Sequence, residues 1–98
     1  MLGVAVLGCG RIGRMHGANI AAHPGARLAR VYDIDAQAAE AVARELGSTA
    51  AASAEDVFTN PEVEAVLIAT VTDTHADFIE AGVAAGKPVL CEKPIDLD

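Results

Sequence analysis

The chain has 98 residues, 52% of them hydrophobic, and a formal net charge of −7. That suffices for one modest domain and its core. It excludes general binding to nucleic acid or to an anionic membrane surface, because both require a basic patch. No apolar run approaches the roughly 20 residues of a bilayer span. Met1-Leu2-Gly3 leads directly into the first strand, without the basic start of a signal peptide. Cys9 and Cys91 match no metal-ligand or C-x-x-C spacing, so small hydrophobes in a reduced, cytoplasmic compartment are expected.

An apolar run from Leu2 to Leu7 goes straight into Gly8-Cys9-Gly10-Arg11-Ile12-Gly13. A strand, a Gly-x-Gly-x-x-Gly turn and a helix, in that order, open a dinucleotide-binding βαβ unit. Gly8 permits the tight turn off the strand. Gly10 leaves room for a pyrophosphate, and Gly13 lets the helix pack close to the strand. The phosphates would meet the free N–H groups and positive dipole end of the helix. Three glycines at this spacing are a weak signal alone; the flanking strand and helix give them weight. The helix is expected from Arg11 to Ala22, with Gly13 and Gly17 on the face toward the sheet. His23-Pro24-Gly25 ends it.

The second strand is expected from Arg27 to Tyr32, followed by Asp33. Arg30 does not fit a strand buried on both faces unless its stem is covered and its guanidinium reaches water. Asp35 reads as the N-cap of a helix from Ala36 to Leu46, with Ala39, Val42, Ala43 and Leu46 inward and Gly47 at C′. A third strand, Ser48 to Ala51, is weak, having little to bury. Ser53 with Asp56 forms a loose capping box for a short helix to Phe58, and Asn60-Pro61 is a turn signal. The fourth strand is Ala65 to Ala69, followed by Thr70-Val71-Thr72-Asp73. A helix from Thr74 to Ala85, closed by Gly86, would turn Phe78, Ile79, Gly82 and Val83 inward. The fifth strand is Pro88 to Cys91, and Glu92-Lys93-Pro94 follows. Ile95-Asp96-Leu97-Asp98 resembles a cap before a further helix.

Strands alternating with helices imply right-handed crossovers and a doubly wound parallel α/β sheet, the Rossmann dinucleotide-binding fold. The expected strand order is 3-2-1-4-5, stopping before the last strand of the two-half fold. In such a sheet ligands bind beyond the carboxyl ends of the strands. The chain's polar and unusual residues recur there: Gly8 to Gly13, Asp33, Thr70 to Asp73, and Glu92 to Pro94.

Asp33 lies about 20 residues past the glycine loop, where a carboxylate accepts both hydroxyls of the adenine ribose. It would repel a 2′-phosphate, so NAD is favoured over NADP. The alternative is that Asp33 only organises the turn before Asp35. Arg11 either reaches the pyrophosphate or is an exposed first-turn cation. His75 either contacts cofactor or substrate or caps its helix locally; a positive charge there is unfavourable, which favours the structural reading. Lys93 beside Glu92 is placed to hydrogen-bond a substrate hydroxyl and stabilise developing alkoxide charge, although most lysines are solvated surface residues.

These residues resemble the glucose–fructose oxidoreductase / inositol dehydrogenase / rhizopine-catabolism (Gfo/Idh/MocA) family of NAD(P)-dependent oxidoreductases, most closely its inositol dehydrogenases. The resemblance covers the whole chain. It rests on the glycine loop, on Asp33, on Ala69-Thr70-Val71-Thr72-Asp73-Thr74-His75, and above all on Gly86-Lys87-Pro88-Val89-Leu90-Cys91-Glu92-Lys93-Pro94. Val71-Thr72 departs from the family, which often has Pro and a small polar residue there. The resemblance implies a catalytic role for Lys93, with the Lys93–Pro94 peptide cis. It implies cofactor-lining roles for Gly8, Gly10, Arg11, Ile12, Gly13, Asp33, Ile34, Thr70, Thr72, His75, Glu92 and Lys93.

It further implies hydride transfer from a polyol or sugar hydroxyl to NAD, no metal, and a homo-oligomeric parent. Residues 1–98 would form the cofactor-binding domain. A second domain, outside this sequence, would supply the Asp and His that complete the site; His16 and His23, on or just after the first helix, cannot replace that histidine. Two other readings stand beside the enzyme: a dinucleotide sensor or regulatory module without turnover, since fold does not settle function, and a short chain without independent function.

Overall fold

The computed structural model describes residues 2–69 and 75–91. Its elements alternate as expected: β1 (Leu2–Leu7), α1 (Arg11–Ala22), β2 (Ala26–Tyr32), α2 (Ala36–Leu46), α3 (Ala54–Thr59), β3 (Ala65–Ile68), α4 (His75–Ala85) and β4 (Val89–Cys91). The four strands form one sheet in the order β2-β1-β3-β4, and every pairing is parallel.

Side chains alternate across β1, and the two faces build two cores. Ala5 and Leu7 face Val57 and Phe58 of α3, together with Val66 and Ile68 of β3, with Ala81 of α4 packed alongside. Val6 faces the other way, onto Leu28, Val31, and Val42 and Ala43 of α2, with Ile20 of α1 packed there as well. Helices therefore cover both faces, as right-handed crossovers demand when the strand order reverses beside β1. Leu7, Ile68 and Val66 are wholly buried, each worth about 1.5–3 kcal/mol.

The helix ends follow local chemistry. Asp35 caps α2 by accepting from Gln37 N–H at 3.0 Å and Ala38 N–H at 3.4 Å. Gly47 closes that helix in the left-handed conformation at φ 72°. Ser53 Oγ caps α3, accepting from Asp56 N–H at 3.1 Å. The inner stripe of α2 is as expected, with Ala39, Val42 and Ala43 buried and Leu46 packed partly against the core.

Three expectations require correction. The strand expected at Ser48 to Ala51 is reduced to one parallel bridge, Val31 with Ala50. Only two ladder bonds form there, Val31 N–H to Thr49 O and Ala51 N–H to Val31 O. Small side chains give that segment too little buried surface to extend the ladder. The regular sheet thus has four strands, and the bridge marks the outer place in the 3-2-1-4-5 order. Second, Val83 is 72% exposed. Gly82 is the inward residue of α4, because a Cβ on it would overlap Val89 Cγ2. The side chains of Phe78 and Ile79 lie outside the described residues.

Third, β2 is not a regular strand. Val4 pairs with Leu28 but Ala5 with Arg30, leaving Ala29 unpartnered in a register shift. Without that extra residue Arg30 would pair with Val6 and enter the core beneath α2. With it, Val31 takes that place and Arg30 falls on the opposite face. There its Nη1 donates to Ala29 O at 2.7 Å and lies 3.3 Å from Glu62 Oε1. The guanidinium finds partners, a carbonyl and a carboxylate, as well as water.

Candidate cofactor site

Because all four strands are parallel, their carboxyl ends lie along one edge. The order reverses between β1 and β3, which creates the crevice where doubly wound folds take ligands. Residues Gly8 to Gly10 leave β1 at this point and run directly into α1.

Three backbone hydrogen bonds fix the loop's base. Gly8 N–H donates to Tyr32 O at 2.6 Å, Ala69 N–H to Leu7 O at 2.8 Å, and Arg14 N–H to Gly10 O at 2.8 Å. Gly8 has φ 110°, a conformation that side chains rarely adopt. Gly13 is held against it: a Cβ there would overlap the Gly8 carbonyl oxygen and stand 2.7 Å from its carbon. Gly10 is different, since a Cβ on it would meet nothing within 4 Å. The fold itself therefore leaves room above Gly10. No side chain caps α1 at Gly10, and its first turn holds no acidic residue. The positive end of the helix is left open toward that space.

Asp33 stands beside the loop. Its Oδ2 accepts from Cys9 N–H at 2.7 Å and its Oδ1 from Asp35 N–H at 2.8 Å. The turn-organising role weighed from the sequence is thus real, and the carboxylate also grips the glycine loop. It is only partly buried, so lone pairs remain for a ligand. Next to it, Ile34 is 92% exposed, an apolar side chain the fold does not use.

Cys9 Sγ lies 3.7 Å from Tyr32 O. Burial, followed by the negative charge of Asp33, pushes its thiol up to about 11. Little of it is thiolate at neutral pH. On the outer side of the loop, Cys9, Gly10, Arg14, Met15 and Ala18 line an open groove of about 450 Å³. Arg14 is tied across to α2 by Glu45, Nη2 to Oε2 at 2.6 Å. Arg14 lies i, i+3 from Arg11 on the same helix, so the spacing alone places a second cation beside the loop.

The structure therefore brings together Gly8, Gly10, Gly13, Asp33 and Ile34. The backbones of Arg11, Ile12 and His75 open α1 and α4, but their side chains lie outside the described residues. Thr70, Thr72, Glu92, Lys93 and the Lys93–Pro94 peptide lie outside them altogether. Among the described residues no cluster of His, Cys, Asp or Glu suited to a metal occurs, and no helix is long and apolar enough to cross a membrane.

Comparison with known proteins agrees with this geometry. Inositol 2-dehydrogenase of Rhizobium meliloti (strain 1021) is 44% identical over 93 residues, covering 95% of this chain and 28% of that protein. The crystal structure of a myo-inositol dehydrogenase from Corynebacterium glutamicum superposes with TM-score 0.89 at 43% identity, covering 100% of this chain and 29% of that one. The Lactobacillus casei myo-inositol dehydrogenase in complex with NAD(H) and myo-inositol superposes at 0.90, with 26% identity, 97% of this chain covered and 29% of that one. The chain thus spans under a third of the length of these relatives. The model of the Gfo/Idh/MocA oxidoreductase family matches residues 2–98. The chain belongs to that oxidoreductase family and carries its NAD-binding Rossmann fold.

Proposed function

We propose that this chain is the cofactor-binding domain of an NAD-dependent dehydrogenase acting on a ring hydroxyl of a polyol or sugar, with inositols the leading class. The observation that carries the reading is the unfilled space above Gly10, at the uncapped start of α1, with the Asp33 carboxylate alongside. Such a cradle suits a pyrophosphate bridging to a ribose diol. The substrate class rests on relatives named for inositol.

When bound, NAD supplies the hydride acceptor. The residues of this chain hold it. The loop Gly8 to Gly13 and the first turn of α1, including Arg11 and Ile12, receive the pyrophosphate. Asp33 accepts the adenine ribose hydroxyls and disfavours a 2′-phosphate, and Ile34 offers the adenine an apolar surface. Resemblance to the family gives Thr70, Thr72, His75 and Glu92 cofactor-lining roles. Lys93 is the catalytic residue in this proposal: its ammonium donates to the substrate oxygen and stabilises negative charge developing there. By the same resemblance, the rest of the substrate site and much of the oligomer interface belong to a second domain in the parent enzyme.

Calorimetric titration of the chain with NAD, and with NADP as control, tests this reading. Saturable NAD binding, with NADP weaker by about tenfold or more, is expected from one unfavourable carboxylate–phosphate contact. Ile34→Ser should weaken NAD by several-fold with unchanged melting, because that side chain supports nothing in the fold. Equal binding of NAD and NADP would remove the role given to Asp33. Failure of both to bind would remove the cofactor site.

A further inference from the structure

We propose that Asp33 is a positioning residue for the glycine loop as well as a ribose acceptor: its carboxylate sets the pyrophosphate cradle before any ligand arrives. The inference rests on the cofactor reading given above and deepens it. A carboxylate kept only for ribose hydroxyls would be solvated in the ligand-free protein. Here both of its oxygens are engaged, Oδ2 by Cys9 N–H at 2.7 Å and Oδ1 by Asp35 N–H at 2.8 Å. The two contacts join the turn after β2 to the turn after β1, across 24 residues of sequence.

Cys9 is the middle residue of Gly8-Cys9-Gly10, with flexible glycines on both sides. Gly8 is fixed by its own N–H on Tyr32 O at 2.6 Å, and Gly13 by its packing on the Gly8 carbonyl. Gly10 has no such neighbour on its Cα face. Gly10 O accepts from Arg14 N–H at 2.8 Å within α1, so the Cys9 N–H is the tether nearest to Gly10 that reaches a side chain outside the loop and its helix. A charge-assisted hydrogen bond is about twice as strong as a neutral one. Removing it releases the loop to conformations that a ligand must then reorder.

The two roles of Asp33 predict opposite outcomes for a ligand that has a pyrophosphate but no ribose hydroxyls. Binding of ADP and of 2′,3′-dideoxy-ADP is measured calorimetrically for the wild-type chain, Asp33→Ala and Asp33→Asn. If Asp33 acts only on the hydroxyls, dideoxy-ADP binds Asp33→Ala as well as wild type, or tighter, because a negative charge near the phosphates is gone. If Asp33 also positions the loop, dideoxy-ADP binds Asp33→Ala about tenfold more weakly, the loss of one charge-assisted hydrogen bond. Asp33→Asn, whose amide oxygen can still accept from Cys9 N–H while its NH2 then faces Asp35 N–H, recovers part of that loss.

Amide hydrogen exchange on the ligand-free chain gives a second readout. Protection of Cys9 N–H should fall in Asp33→Ala while that of the β1 and β3 amides is retained. Unchanged Cys9 exchange, or dideoxy-ADP binding that does not weaken, overturns the positioning role and leaves the cofactor reading intact. Absence of ADP binding in the wild type overturns the cofactor reading instead, and the exchange of Cys9 then still decides whether the tether holds the loop.

Discussion

Gly13 and Gly10 stand three residues apart in one motif, yet the structure assigns them opposite sensitivities. Gly13→Ala places a methyl against backbone: 2.7 Å from the Gly8 carbonyl carbon, nearer still to its oxygen, and 3.5 Å from Ala69 Cβ. Neither Gly8 atom can rotate away, so α1 must lift from the sheet. Overpacking of this kind costs about 1–3 kcal/mol, and backbone obstruction puts it toward the upper end. Alanine in a helix returns about 1 kcal/mol over glycine. The net loss is about 1–2 kcal/mol, or a melting temperature lower by about 5–15 °C for a domain of this size. Gly10→Ala meets nothing within 4 Å and should change stability by less than about 1 kcal/mol at this capping position. Its methyl instead occupies the space assigned to the pyrophosphate, so NAD affinity should fall by about tenfold or more. Urea unfolding and NAD calorimetry on both variants separate the effects. A Gly13→Ala chain as stable as wild type would refute the packing argument. A Gly10→Ala chain that binds NAD normally would refute the placement of the phosphates.

Two further outcomes follow from side chains near and far from the site. The Cys9 thiol, pushed up to about 11 from an ordinary 9.0, should be alkylated by iodoacetamide about a hundredfold more slowly at neutral pH than in the unfolded chain. Because its folded value is the higher one, this thiol's contribution to stability is complete below pH 9 and is lost as pH rises toward 11. Peptide mapping of the alkylation rate against pH checks both, and a midpoint near 9 at Cys9 contradicts them. Lys87 Nζ donates to Asn60 O at 3.1 Å and to Val63 O at 2.5 Å, pinning the turn before β3 to the start of β4. Lys87→Met should lose about 1.5–3 kcal/mol in urea unfolding with NAD affinity unchanged, since this contact lies at the opposite edge of the sheet. Reduced affinity at full stability would show that the two edges are coupled.

The architecture was legible wherever a residue's chemistry is local. Asp35, Gly47 and Ser53 act within a few residues of themselves, so the ends of α2 and the start of α3 could be read directly. The apolar runs of β1 and β3 left few alternatives to a buried parallel strand. What escaped the sequence depended on distant partners. Whether Ser48 to Ala51 makes a strand is decided by how much those residues can bury against β2, and they bury little. Periodicity places Gly82 and Val83 inward together, but only Gly82 packs there, where Val89 approaches too closely for any side chain, and Val83 is exposed. Lys87, which reads as a surface lysine in a family motif, is a staple only because two carbonyls 24 and 27 residues away converge on it. At the site, the spacing of Gly8, Gly10, Gly13 and Asp33 was informative because it encodes backbone demands. The grip of Asp33 on Cys9 N–H was not legible, since the adjacency of the first two strands leaves open whether the carboxylate turns toward the loop or away from it.

The unpartnered Ala29 also sets where this chain can change length. Removing Ala29 would leave Leu28-Arg30-Val31 to pair with Val4-Ala5-Val6 as they do now, so every neighbouring side chain would keep its face. The shortened strand would forgo one buried methyl and the carbonyl that holds Arg30. Deleting Leu28 instead would keep the register only by putting Ala29 in the place of a core leucine, and deleting Val31 would bring Tyr32 opposite Val6 and turn it to the other face. A one-residue gap in this strand is therefore tolerable at a single address, and length variants of the domain should collect there.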